Sequence, residues 1–185
     1  MKSLLRFVPL CSACVLGISI SAPVLAGNTD WQHPMIQEYG KVQAMPNAVL
    51  QPDPGRQYKV IVNVTKLMTS PDQVNPGLDR VARLVNLFAL AKVPPEKLEI
   101  AAVLHGGATS ASLDDSHYRK KYQTDNPNIK LIKALKRAGV NVYVCGQALA
   151  HNEFESRWVS GEVAVALSAM IVLADYQLKG YALVE

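Results

Sequence analysis

Apolar positions along this chain follow two periodicities, and their alternation predicts the elements. Lys59 to Thr65 (KVIVNVT), Leu98 to Leu104 (LEIAAVL) and Val140 to Val144 (VNVYV) are short aliphatic runs with few polar interruptions, the pattern of strands buried on both faces. Between the first two, Leu78, Val81, Leu84, Val85 and Phe88 recur at helical spacing, while Asp79, Arg80, Arg83 and Asn86 fall on the opposite, wet face. Asn75-Pro76 opens that helix, because an Asn side chain caps free N–H groups and Pro fits the first helical position. Asn126-Pro127 repeats the signal before Ile129, Ile132 and Leu135; Gly139 ends this helix, with Lys136 and Arg137 near the negative end of its dipole. Glu162 to Val165 reads as a fourth strand, Ser168 to Lys179 as a helix closed by Gly180, and Tyr181 to Val184 as a last short strand. Strands alternating with helices of this length predict a doubly wound α/β domain on a mainly parallel sheet of about five strands.

Three segments stand outside the alternation. Ala108 to Asp125 is polar, with Asp114, Asp115, His117, Arg119, Lys120 and Lys121, and is long for a bare loop, so it holds a short helix or forms a lid. Residues 27–56 place Trp31, Met35, Ile36 and Tyr39 among Pro34, Pro46, Pro52 and Pro54, as in an extended arm laid over the domain or over a neighbouring subunit. Residues 1–26 have the makeup of a signal peptide: Lys2 and Arg6, the apolar run Phe7 to Ile20, then Val24-Leu25-Ala26 as cleavage site. That run is shorter than the roughly 20 residues of a membrane span, and no second one follows. The expectation is a periplasmic or secreted protein, free of the membrane after cleavage, whose domain proper is 57–185.

The length of 185 residues, 49% apolar and 18% charged, fits one globular domain. Basic and acidic residues are scattered without runs, so no nucleic-acid surface is expected, and the net charge of +4 falls to +2 once Lys2 and Arg6 leave. Cys11 and Cys14 leave with them. Cys145 is then the single cysteine, no intrachain disulfide can form, and that thiol is either inert core or chemistry.

In a doubly wound sheet, ligands bind beyond the carboxyl ends of the strands. Those ends here are Asn63 and Thr65, then His105-Gly106-Gly107, then Cys145-Gly146. Cys145 precedes a short helical piece, Gln147 to His151, and the free N–H groups of a helix start favour thiolate over thiol. His105 is the first candidate proton partner and His151 the second; either also reads as a hydrogen-bonded loop residue. Gly106-Gly107 admits a phosphate or a tight turn, and the lack of G-x-G-x-x-G or G-K-[ST] favours the turn. Asn63-Val64-Thr65 spells a glycosylation sequon, but inside a strand. The four His and single remaining Cys lack zinc-site spacing and there is no haem motif, so neither metal nor cofactor is expected.

The sequence Gly139 to Leu149 (GVNVYVCGQAL), preceded by Val103-Leu104-His105-Gly106-Gly107 and followed by Gln177-Leu178-Lys179-Gly180-Tyr181-Ala182, resembles the DsrE/DsrF-like sulfur-relay family over Tyr58 to Glu185. The strand-Cys-x-x-Ala-Leu element and the closing Leu-x-x-Gly-Tyr carry the resemblance most specifically. It implies a three-layer α/β/α sandwich, a homo-oligomer (trimer or hexamer) and, as in some members, a cysteine, matched by Cys145, that carries a persulfide between donor and acceptor proteins. The other reading is a non-catalytic module for a small ligand or for assembly, with Cys145 passive.

Overall fold

The computed structural model describes residues 30–185; the segment 1–26, expected from its sequence to be a signal peptide, lies outside them. Five parallel strands form one sheet: β1 (Tyr58–Val64), β2 (Leu98–Leu104), β3 (Asn141–Cys145), β4 (Ala164–Ala166) and β5 (Ala182–Val184), in the spatial order β4-β3-β2-β1-β5. The helices are α1 (Pro76–Leu90), α2 (Asp115–Tyr122), α3 (Asn128–Arg137), α4 (Gly146–His151) and α5 (Ala169–Leu178). β2 matches its sequence reading to the residue, while the other strands shift by a residue or two. β4 starts late because Ser160 caps a turn there, its carbonyl accepting from Val163 N at 3.0 Å and its hydroxyl from Glu162 N at 3.3 Å.

The polar stretch after β2 is neither bare loop nor lid. Gly106–Ser112 winds as a 3-10 helix and α2 follows, capped by Asp114. Two of the predicted caps hold: Asn75 accepts from Gly77 N and Leu78 N, and Gly139 takes a φ of +84° after α3. At α3 the helix starts one residue later than Pro at its first position would have it. Asn126 accepts from Asn128 N while donating to the carbonyls of Ala111 and Leu113, and Asn128 in turn accepts from Asn75 N. This buried asparagine chain ties the starts of α1 and α3 to the 3-10 turn with every polar atom paired.

The two faces of the sheet are covered unequally. Val60, Val62, Val64, Ile100, Ala102, Leu104, Val142 and Val144 point to one face, where α1, α2 and α3 supply Leu78, Val81, Val85, Tyr118, Leu131, Ile132 and Leu135. Ile61, Ala101, Val103 and Cys145 point to the other, where α5 packs through Ala169 and Val172 and α4 adds Ala148. The Tyr143 and Tyr176 hydroxyls, 3.0 Å apart, tie α5 to β3. The result is an α/β/α sandwich with one thick and one thin layer.

Asn86, read from periodicity as a wet-face residue, is fully buried. The N-terminal segment folds over α1 at this point. Asn86 Oδ1 accepts from the backbone N–H of Met35 (2.9 Å) and Ile36 (2.7 Å), and Nδ2 donates to the carbonyls of Ile36, Tyr39 and Gly40. The arm is therefore laid on its own domain. It is a turned loop rather than an extended strand here, closed by an antiparallel bridge between Gln32 and Val42. Ile36 is its buried anchor, whereas Trp31 and Met35 remain exposed.

Candidate functional site

β2 and β3 pair with Leu104 opposite Val144, so His105 and Cys145 leave the sheet side by side. Val103 and Cys145 lie on the α5 face, and strand alternation carries His105 to that face too. Asn63, two residues beyond Ile61 on β1, and Glu185, the residue after β5, continue the line. Cys145, His105, Asn63 and Glu185 thus form one row across four adjacent strands at their carboxyl ends.

Three of these four are joined by hydrogen bonds. Asn63 Nδ2 donates to Glu185 Oε2 at 2.9 Å, and His105 Nε2 lies 2.6 Å from Asn63 Oδ1. A carboxylate only accepts, so Glu185 fixes which way the Asn63 amide points; the amide oxygen then requires the proton of His105 on Nε2. Nδ1 keeps its lone pair. Burial pushes the imidazole below its usual 6.5, and the Glu185 charge offsets part of that shift. At neutral pH the ring is therefore uncharged and can accept a proton at Nδ1.

Cys145 caps α4, its Sγ accepting the Ala148 N–H at 3.4 Å. The residue is 6% exposed and packs with Ala169, Ala148 and Ala166. Gly146 is needed there because a Cβ would stand 2.9 Å from the Ala166 carbonyl oxygen, so any larger residue would push β4's exit away from α4.

The remaining predicted rim residues separate into other tasks. Gly106 adopts a φ of +53°, and a Cβ on Gly107 would meet the Leu67 backbone at 2.8 Å, so the pair lets the chain turn and the post-β1 segment approach closely. Thr65 lines, with Asn63, Lys66, Gly77, Arg80 and Glu185, a cavity of about 30 Å³, room for one water. His151 sits exposed at the far end of α4. His117 serves α2 locally, 2.8 Å from Asp114 and stacked on Trp158. Glu185 escaped the sequence reading; the alternation of Leu183 and Glu185 along β5 was its signal, but only the pairing of β5 with β1 sets it beside Asn63. No group of three or more metal-ligating side chains occurs among the described residues. A cavity of about 890 Å³ lies away from this row, between the arm (Met45, Leu50, Pro52) and the end of α1 (Leu87, Leu90).

Residues 59–185 match the model of the DsrE/DsrF-like family. The chain belongs to that family. Its arm, up to Tyr58, precedes the matched region, and Cys145, His105, Asn63 and Glu185 all fall within it. No curated protein matches the chain. Among solved structures it is similar to a protein of unknown function from Methanobacterium thermoautotrophicum, with 18% identity over 69% of this chain and 98% of that one, at a TM-score of 0.48. The family is of the sulfur-relay type.

Proposed function

We propose that this protein is exported by its N-terminal segment and there accepts sulfane sulfur on Cys145, passing it on from donor to acceptor protein. The observation that carries the reading is the row itself: the one thiol among the described residues at a strand end, its sulfur accepting a helix-start N–H, on the same edge and face as a neutral His105 held by Asn63 and Glu185. Cys145 thiolate attacks the outer sulfur of a donor persulfide, R–S–SH. The donor S–S bond breaks as the new one forms, giving Cys145–S–SH and R–S⁻, with no external oxidant. His105 Nδ1 is the base that takes the thiol proton. Delivery reverses the step, an acceptor thiolate attacking the outer sulfur and Cys145 leaving as thiolate.

Mass spectrometry after incubation with a persulfide donor should find one added sulfur atom on Cys145, lost on reduction and absent in Cys145→Ser. An unmodified Cys145 with several donors refutes the proposal. The burial of Cys145 favours a second reading, a non-catalytic ligand or assembly module with a passive thiol. Under it, a bulky thiol reagent labels the protein only on unfolding; under the first, labelling proceeds in the native state.

A further inference from the structure

The arm and the end of α1 enclose a recess remote from Cys145 and His105. Met45, Ala48, Leu50 and Pro52 form one wall and Leu87 and Leu90 the other, around about 890 Å³, within the roughly 300–1,000 Å³ of small-molecule sites. Tyr58, the first residue of β1, lines it too, which puts it roughly 16 Å along the strand from Asn63.

Large apolar side chains on both walls stay open to solvent: Met45 is 62% exposed, Leu50 90% and Leu87 44%. The walls do not close on each other because the arm is braced by bonds of its own. Gln51 Nε2 donates to the Met45 carbonyl at 2.7 Å, Gly55 N to Asp53 Oδ1 at 2.8 Å, and Asp53 N to the Tyr58 hydroxyl at 2.7 Å. Pro46, Pro52 and Pro54 stiffen the same stretch. The recess is thus held open ahead of any ligand, and its apolar walls offer water few of the partners that would order it.

Three groups give the recess a polarity. Arg56 lines it, exposed, and among the described residues its guanidinium has no ion-pair partner. The Tyr58 hydroxyl accepts from Asp53 N and keeps its own proton to donate. The carboxyl end of α1, the negative end of its dipole, lies in the opposite wall. An anionic head therefore belongs on the Arg56 side and an apolar chain along Leu87 and Leu90. Asp53 stands on the Arg56 wall as well, so the mouth has no surplus of positive charge for a dianion. We infer that the recess binds a singly charged amphiphile of the fatty-acid class, its carboxylate on the Arg56 fork and the Tyr58 hydroxyl and its chain between the apolar walls.

Titration calorimetry and methyl NMR of the purified protein with decanoate, below its micelle concentration, test this. Decanoate should bind and shift the methyl signals of Met45, Leu50, Leu87 and Leu90. Decyltrimethylammonium, and decyl phosphate as a dianion, should bind more weakly. Arg56→Gln should weaken decanoate about tenfold, the worth of one charge-assisted hydrogen bond, and leave decanol unchanged. Leu87→Glu should abolish binding with unchanged circular dichroism, and Leu50→Glu, on the arm, serves if that variant folds poorly. Cys145→Ser should bind decanoate like the wild type, so a failure of the sulfur-carrier reading leaves this one standing. No binding of decanoate, shifts confined to methyl groups elsewhere, equal or tighter binding of either other amphiphile, or full affinity in folded Arg56→Gln overturns the inference. So does retention on phosphatidylglycerol vesicles without binding of free decanoate, or an oligomer that Leu87→Glu dissociates, because a membrane or a second copy then fills the recess.

Discussion

Asn86→Ala should release the N-terminal arm from α1 while leaving the α/β domain folded. The side chain makes five hydrogen bonds to arm backbone, between 2.7 and 3.2 Å, in a site closed to water. Each is worth about 1 kcal/mol net, and a buried N–H left without a partner costs about 1–3 kcal/mol. Some of these groups regain water once the arm lifts, which caps the loss at the free energy of opening the arm. A loss of about 2–3 kcal/mol follows, equivalent to roughly 30- to 150-fold easier opening. Hydrogen exchange reads this directly: the Met35, Ile36 and Gly40 amides should lose protection, Gly40 because its bond to Asp79 Oδ1 (2.7 Å) depends on the same seating. Amides of β1 and β2 should keep theirs. Trypsin should cut sooner after Lys41, which is exposed and borders the seated loop. Unchanged protection at Ile36 and unchanged cleavage would show that the arm is held by Ile36 burial alone and would refute the assignment of Asn86 as its anchor.

Two further predictions concern charge. Glu185→Gln keeps an acceptor for Asn63 but removes the negative charge that raises the His105 pKa, so an NMR titration of His105 should move to lower pH; an unchanged or higher midpoint would contradict the row. For Asp114, burial alone would raise the carboxyl, but the His117 N–H and the bonds from His117 and Ser116 side chains outweigh it, leaving a value below the usual 3.8. A depressed carboxyl stabilises above its unfolded pKa and loses that contribution as pH falls through the folded one. Asp114→Ala should therefore cost about 1 kcal/mol in denaturant melts at neutral pH. The gap to wild type should narrow as pH falls below about 4, and a pH-independent difference would refute the cap.

Local chemistry alone made much of the fold legible. The aliphatic runs, the Asn75 cap and Gly139 act over a few residues, so sequence spacing determined strands β1 to β3, helix α1 and the parallel α/β class. Cys145 at a strand end followed by a helix was legible for the same reason. Tertiary structure decided the rest. Asn86 falls on the polar side of its own helix, and burying it requires a segment some 50 residues away. Glu185 reaches Asn63 only because β5 pairs with β1, a neighbour relation that strand sequence does not encode. The unequal helical layers depend on which side of the sheet each crossover takes. Hydrophobic periodicity specifies that a face is buried; what buries it is set by chain topology.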